Sequence, residues 1–411
     1  MHSRRFPRLI TLAVVLMLIL GAALPGLAQE NKITFLTPAW GVPPNEEALR
    51  AFEAETGITV EIQSVQMADL FSRVQIASAS GQAAADVIFL TEEAPSNIVA
   101  TGNLLALNDL IAGVDTSDFT QLDFWTVDGM TYGFPVYSQL VMMDYNAARL
   151  AEAGFDAPPA TWAELTDMAK ALKEQGLDEY PVAMGAIDWS WYLMALSMGD
   201  PMFDDDLNPV FADEGSKGRE AMALLMSYFA EGLISPEMLA GSINQHALFW
   251  SGVGTFHQGW QGSVRVANNP DTSQQAPNAE YLPLPEVGNT WSFPAGLGID
   301  ANSANVDAAW QFIQWYTQPA QQQAIYAAFG LYPSRLSVAA ALNEAGEIQG
   351  YDAIVAQAAK VDELPRYALW WGPFTNNVTE TILEAAQTGA DANAVIDQLA
   401  ETWNELRAEY E

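Results

Sequence analysis

The chain has 411 residues, and 50% of them are hydrophobic, so it holds ample material for a core and is not a disordered chain. This length suits two large domains. The absence of cysteine excludes disulfides, thiolate metal sites and cysteine nucleophiles. The net charge of −35 reflects only 16 Lys and Arg against 51 Asp and Glu. Such a surface repels a polyphosphate backbone, which argues against a nucleic acid partner.

The first 28 residues have the pattern of a secretory signal peptide. Three arginines precede the apolar run 9–24, and small residues follow it, so we predict cleavage after Ala28. The run is short for a membrane span, and no cysteine follows for lipid attachment. We therefore expect a free mature protein that is periplasmic or extracellular.

The mature chain opens with strands and helices in alternation. The predicted strands are 33–37, 58–62 and 86–90, and the predicted helices between them are 46–56 and 69–80. This order predicts right-handed crossovers and a parallel sheet in an α/β fold. Ligands bind beyond the carboxyl ends of such strands, where Trp40, Glu92 and Glu93 lie.

Helical patterns dominate the rest of the chain. Thr161 and Glu164 form a capping-box pattern, and Asn305 is placed to cap a later helix. The predicted helices of this part include 162–175, 217–231 and 392–410.

Short motifs in a fixed order resemble those of one protein family. They are 52–60 (FEAETGITV), 86–90 (DVIFL), 104–110 (LLALNDL), 129–135 (GMTYGFP), 144–146 (DYN), 160–165 (ATWAEL), 259–260 (GW) and 308–313 (AAWQFI). Together they resemble the extracytoplasmic sugar-binding proteins of ABC transporters, the maltose-binding-protein-like family, over nearly the whole mature chain. The resemblance implies two α/β lobes with a ligand cleft between them.

The resemblance also implies the division of the chain into two lobes and the ligand and protein partners that it binds. It places an N-terminal lobe at 29–137 plus 299–333 and a C-terminal lobe at 138–298 plus 334–411. A sugar ligand would hold the lobes closed without a cofactor. The protein would be a monomer that delivers the sugar to separate permease and ATPase subunits.

A sugar site needs aromatic rings for the apolar ring faces and polar groups for the hydroxyls. By position, the resemblance assigns hydroxyl binding to Glu93 and Gln139, although the relative compared has an acid at the latter position. The expected ligand-binding residues are Trp40, Glu92, Glu93, Gln139, Trp189, Trp191, Trp260, Gly296, Arg335, Trp370 and Trp371. For each tryptophan, a packed core ring is the open alternative, and for Gly296 it is a plain strand crossing.

Other chemistries find little support in the sequence. The mature chain has only His246 and His257, outside any zinc motif, and it lacks a G-x-S-x-G elbow. The acidic segment 204–208 lacks the glycine and glutamate of a calcium loop, so we predict a turn that joins two strands. We expect no metal site, no catalytic residue and no enzyme activity.

Two alternatives stay open at this point. The chain could bind another solute, such as a polyamine or a glycerol phosphodiester; its few basic residues disfavour the latter. A secreted glycosidase would also use tryptophan platforms, but it needs two carboxylates across the scissile bond, and no such pair is recognisable.

Overall fold

The structure is a computed structural model that describes residues 31–99, 101–241 and 243–411. The predicted signal peptide lies outside the described residues. The strands are β1 Lys32–Thr37, β2 Thr59–Ser64, β3 Val87–Leu90, β4 Thr126–Val127, β5 Met130–Thr131, β6 Phe134–Tyr137, β7 Val141–Asn146, β8 Val182–Ala183, β9 Phe256–Trp260, β10 Ala279–Leu282 and β11 Ala295–Ile299.

The α-helices are distributed along the whole described chain. They are α1 Glu46–Thr56, α2 Met67–Ala79, α3 Asn108–Ile111, α4 Ala147–Glu152, α5 Trp162–Glu174, α6 Asp188–Ser197, α7 Lys217–Ala230, α8 Gln245–Trp250, α9 Ser263–Ala267, α10 Val306–Tyr316, α11 Pro319–Phe329, α12 Leu336–Glu344, α13 Tyr351–Ala358, α14 Trp371–Thr388 and α15 Ala392–Tyr410. None of the helices in the described ranges is long and apolar enough to cross a membrane.

The first sheet has the strand order β2-β1-β3-β11-β6. β1 pairs in parallel with β2 and β3, which confirms the parallel unit predicted from the strand–helix alternation. β11 comes from a distant part of the chain and pairs antiparallel with β3 and β6. The chain must therefore return to the first sheet to complete it, and local sequence patterns do not predict such a long-range pairing.

The second sheet has the order β10-β7-β9-β8. β7 lies between β10 and β9 and is antiparallel to both. All six residues of β7 are buried, because helices cover this sheet as well.

Each sheet has a separate main hydrophobic core. Around the first sheet, Phe35 packs against Phe312, with ring centroids 5.2 Å apart. Around the second sheet, Phe203 packs against Trp403 with centroids 4.2 Å apart, and the fully buried Trp191 joins the same core. Two sheets with two cores give the chain two lobes.

Two predicted helix caps and one predicted turn can be compared with the structure. The Thr161 cap of α5 is confirmed, because Thr161 Oγ1 accepts from the Glu164 N–H at 3.1 Å; Glu164 reaches back at 2.8 Å to the N–H of Ala160, one residue before the N–H that a capping box uses. Asn305 is the N-cap residue of α10, as predicted, but its side chain accepts no hydrogen bond from the helix; its amide donates to Asp86 at 3.1 Å. The segment 204–208 is a turn held by the Asp204 carboxylate, but it lies between two helical segments and does not join two strands.

Candidate functional site

A cleft with a volume of 510 Å³ lies between the two sheets. Its walls come from the carboxyl ends of β1, β3 and β6 on one side and from α6, α8 and β9 on the other. Its lining residues are Trp40, Met67, Thr91, Glu92, Glu93, Tyr137, Trp189, Gln245, His246, Trp250, Gln258, Gly259, Trp260, Phe293, Phe329 and Leu331. A ligand bound here would contact both lobes.

Tryptophan rings form much of the cleft wall. Trp40 lies in a short 3-10 turn, Ala39–Gly41, just beyond β1, and its side chain is 38% exposed. Trp189 lies in the first turn of α6, where its ring packs edge-on against Phe293 with centroids 5.0 Å apart. Trp250 ends α8, and Trp260 ends β9 with its ring centroid 6.2 Å from that of Trp250. These rings offer apolar surfaces from both lobes.

Two buried donors in the cleft have no hydrogen-bond partner among the described residues. They are the indole Nε1 of Trp250 and the amide Nε2 of Gln258. The Gln258 amide is held in position because its Oε1 accepts a 2.7 Å hydrogen bond from Ser190 Oγ. Both residues line the cleft, and neither donor is satisfied within the described part of the protein.

Three carboxyl groups lie together at one end of the cleft. Glu92 and Glu93 follow β3, and Asp188 begins α6; all three border a narrow extension of the cleft beside Arg366. The Asp188 carboxyl accepts a 3.0 Å hydrogen bond from Thr379 Oγ1. The Arg366 guanidinium is held by Ser292 O and by Glu363.

Burial governs the protonation of these carboxyl groups. It raises the pKa of Glu92, and the neighbouring Glu93 charge raises it further, against the opposing effect of Arg366. Burial also raises the pKa of Glu93. It raises the pKa of Asp188 from 3.8 to about 7, although the Thr379 hydrogen bond acts in the opposite direction. Near neutral pH, the cluster therefore holds protons and offers hydroxyl donors as well as carboxylate acceptors.

A second space lies beyond the narrow extension. This outer groove has a volume of 710 Å³ and borders Arg366, whose guanidinium lies 4.8 Å from the centroid of the Phe124 ring. Carboxylates line much of it, and Tyr367 exposes its ring there. The cleft holds the larger set of aromatic rings, so we take it as the principal candidate site.

A chain of hydrogen bonds connects the second sheet to the cleft. Asp144 Oδ2 lies 3.0 Å from His257 Nδ1, and His257 Nε2 lies 2.9 Å from His246 Nδ1. We call Asp144, His257 and His246 the histidine chain. The sequence did not predict it, because Asp144 precedes His257 by 113 residues. The only available signal was that the mature chain has just these two histidines.

The structure brings five of the predicted ligand-binding residues to the cleft. They are Trp40, Glu92, Glu93, Trp189 and Trp260. Their roles in ligand binding stay predictions, but their shared location is a property of the fold. The sequence had not singled out Trp250, Gln258, His246 or Phe293, which lie in the same wall.

Other predicted residues lie outside the cleft lining. Trp191 is fully buried in the core, where its Nε1 donates to Gly218 O at 2.9 Å. Trp370 and Trp371 are also core rings, and only the latter borders the narrow extension. Gln139 is fully buried and has no side-chain partner among the described residues.

The last two predicted residues have evident structural contacts. A Cβ on Gly296 would lie 3.0 Å from the Trp125 ring, so glycine lets this ring pack on the first sheet. Arg335 donates to Asp118 at 2.9 Å and to Thr317 O at 2.8 Å, and its guanidinium covers the Phe119 ring. Within the described ranges, no group of three or more His, Asp and Glu side chains is arranged to hold a metal ion.

Comparisons with known proteins place this architecture in a family. Residues 47–354 match the family of the bacterial extracellular solute-binding proteins. A protein of Brucella abortus described as a binding protein is 26% identical over 293 residues, which are 67% of this chain and 69% of that protein. The mannitol-binding protein of Pseudomonas aeruginosa is 26% identical over 230 residues, 52% of this chain and 50% of that protein.

A solved structure shows the same fold. Maltose-bound MalE3 of T. maritima superposes with a TM-score of 0.80 at 19% sequence identity, covering 91% of this chain and 99% of that chain. The chain therefore has the two-lobed α/β fold of the periplasmic binding proteins, as predicted from the sequence.

Proposed function

Because the chain belongs to the family of bacterial extracellular solute-binding proteins, we propose that it is the extracytoplasmic receptor of an ABC importer. Its ligand would be a neutral sugar or oligosaccharide. The observation that carries this proposal is the cleft wall, which combines tryptophan rings from both lobes with polar side chains such as Glu93 and Gln258. Rings cover the apolar faces of a sugar, and fixed polar groups bind its hydroxyls.

The volume and the neighbours of the cleft support a small polyhydroxylated ligand. Its 510 Å³ lies within the range of about 300–1,000 Å³ typical of small-molecule sites. A mannitol-binding protein and a maltose-bound protein are among the proteins that the chain resembles. The outer groove beyond Arg366 gives room for a longer oligosaccharide.

The mechanism that we propose is lobe closure without bond chemistry. A ligand that contacts both lobes favours the closed state by the contacts that only this state provides. The lobes would comprise 29–137 plus 299–333 and 138–298 plus 334–411. The mature protein, cleaved after Ala28 and located in the periplasm or outside the cell, would act as a monomer. It would deliver its ligand to separate permease and ATPase subunits.

A thermal-shift screen with calorimetric follow-up tests the proposal. Maltose, longer maltooligosaccharides and D-mannitol are compared with spermidine and a glycerol phosphodiester. At one hundred times its dissociation constant, a true ligand adds about 2.7 kcal/mol to the free energy of unfolding. Stabilisation by a sugar or polyol supports the proposal, whereas stabilisation by spermidine alone would replace it. Hydrolysis of an oligosaccharide by the purified protein would instead establish a glycosidase.

The carboxyl cluster supports a cationic solute as the second candidate. Among the described residues that border this extension, Arg366 is the one cation beside Glu92, Glu93 and Asp188, so the ionised forms of the three carboxyl groups carry an excess of negative charge. A protonated amine would balance that charge, and tryptophan rings also attract cations. Substituting Glu93 by Gln separates the two candidates, because it removes an attractive charge for an amine but keeps hydrogen-bonding capacity for a sugar.

A further inference from the structure

The histidine chain continues into the protein beyond Asp144. Ser263 Oγ lies 2.8 Å from Asp144 Oδ1 and donates to it, while Trp260 N–H donates to the same hydroxyl at 3.2 Å. The carboxyl of Asp144 therefore has one oxygen facing Ser263 and the other facing His257. The oxygen that faces His257 connects Asp144 to the cleft.

The far end of the chain faces the cleft. The His246 ring lines the cleft beside the Trp260 ring, with centroids 4.9 Å apart and planes nearly perpendicular. Its Nδ1 is engaged with His257. Nε2 is therefore the ring nitrogen that remains for a bound molecule.

The hydrogen bonds of the histidine chain can run in either of two directions, depending on which atom of each pair carries the proton. When a proton lies between Asp144 and His257, His257 donates from Nε2 to His246 Nδ1, and His246 then carries its own proton on Nε2. When that proton is lost, His257 donates from Nδ1 to the carboxylate and accepts at Nε2. His246 must then donate from Nδ1, so its Nε2 becomes an acceptor. The presence of one buried proton between Asp144 and His257 therefore determines whether His246 Nε2 is a hydrogen-bond donor or an acceptor for a ligand in the cleft.

Burial favours the state in which a proton lies between Asp144 and His257. Asp144 and His257 are both fully buried, and no Lys or Arg within the described ranges forms an ion pair with Asp144. Burial raises the pKa of Asp144 well above its usual range and lowers that of His257 to about 3, so ionised Asp144 beside two neutral imidazoles is disfavoured. Burial and the adjacent His257 also lower the pKa of His246.

Within the described ranges, no Lys or Arg charge acts on the pKa of Asp144 or His257, and the neighbouring titratable groups do not supply a balancing positive charge. Tyr281 lies opposite Asp144 on β10, and its hydroxyl donates to Gln261 O. Glu92 and Glu93 line the same cleft from the other lobe. These groups are neutral or negative, so they too favour retention of the proton by the histidine chain.

We propose that His246 Nε2 donates a hydrogen bond to an oxygen of the bound ligand and that Asp144, acting through His257, holds it in this donor form. The proposal rests on ligand binding in the cleft as described above. His246 contacts the ligand, and Asp144 and His257 are positioning residues. A sugar oxygen accepts this hydrogen bond in the protonated chain and loses it when the chain reverses at high pH.

The small number of histidines gives the protein a simple imidazole NMR spectrum, in which the two tautomers can be identified. Of its three histidines, His2 lies in the predicted signal peptide, so the mature protein labelled with nitrogen-15 in histidine shows two imidazoles. In the ligand-free protein we expect both rings as neutral Nε2–H tautomers at neutral pH. His246 as an Nδ1–H tautomer, or free exchange between its tautomers, would overturn the proposal without requiring any ligand.

Ligand titration tests the contact itself. Saturation with D-mannitol or maltose, whichever binds, should shift the His246 Nε2 resonance, and His246→Phe should weaken binding about tenfold. The affinity of the wild type should fall as the pH rises from about 5 to about 9, and Asp144→Asn should reduce that dependence, because an amide does not titrate, and leave only the part that comes from Glu92, Glu93 and Asp188. An unshifted resonance at saturation contradicts the contact while sugar binding stands. If neither probe nor any other sugar binds, the proposed function fails instead.

Discussion

Substitution of Trp260 by Ala tests whether the cleft binds its ligand by ring stacking. The Trp260 ring lines the cleft and is only partly buried by the protein. Covering such a ring with a ligand contributes about 1.5–3 kcal/mol. Its removal should therefore weaken the affinity for the sugar roughly 10- to 150-fold, since each 1.4 kcal/mol is a factor of ten.

Isothermal titration calorimetry measures this effect, and two further variants serve as controls. Trp260→Phe retains a ring but removes the 3.2 Å hydrogen bond from the indole to Gly330 O, so it should retain most of the affinity. Trp370→Ala should behave in the opposite way. That ring is 5% exposed and packs on Trp403, so its loss should cost about 3–5 kcal/mol of stability and leave the affinity of the folded protein unchanged.

Wild-type affinity in Trp260→Ala would refute the stacking argument. Weakened binding in Trp370→Ala without a loss of stability would show that the ring reaches the ligand, as the sequence had suggested. The sequence alone predicted weaker binding for both variants; burial of Trp370 in the core changes the expected result for one of them.

Three further substitutions test the energetics of the structure. The pKa of Asp188 is raised in the folded state, so the native protein binds more protons than the unfolded chain, and stability should fall as the pH rises from about 4 through about 7. Urea unfolding at several pH values should show this fall reduced in Asp188→Asn; parallel profiles would contradict it. In Gly262→Ala, the new Cβ would lie 1.5 Å from Gly330 O, and a shift of backbone should cost about 1–3 kcal/mol or more by thermal unfolding. A wild-type melting temperature would show that the two segments separate easily. Arg149→Met leaves the buried Asp178 carboxylate without its 2.6 Å ion-pair partner and should cost about 3–5 kcal/mol in urea unfolding, whereas a loss below about 1 kcal/mol would mean that other donors hold the carboxylate alone.

Local patterns were sufficient to predict the first part of the fold. The strand and helix order of β1 to β3 follows from alternating and helical apolar periods, which depend only on neighbouring residues. A helix end such as that of α11 also depends on neighbouring residues, because Gly330 adopts the left-handed conformation there without strain. Side-chain partners were less predictable. Asn305 occupies the N-cap position of α10, yet its side chain does not cap the helix and its amide donates to Asp86, which is 219 residues away.

Trp189 and Trp191 show why the site was only partly predictable. The two residues are two positions apart on α6, so their side chains point to nearly opposite sides of the helix. The sequence proposed both for the cleft. Packing of α6 against the second core buries Trp191, and this leaves Trp189 facing the cleft. Both residues are tryptophans in the same short segment, so the sequence does not distinguish them. Only the orientation of α6 in the fold does.

The sequence by itself determined the composition of the protein, its first α/β unit and its resemblance to a receptor family, because these depend on residue types and their order. The tertiary structure decided which residues share the cleft. It joined β11 to the first sheet, turned one tryptophan of a pair toward the ligand site and connected Asp144 to His246 through His257. The pairing of β11 with β3 and the contact of Asp144 with His257 each join residues more than a hundred positions apart, and their geometry is fixed only when the lobes are packed.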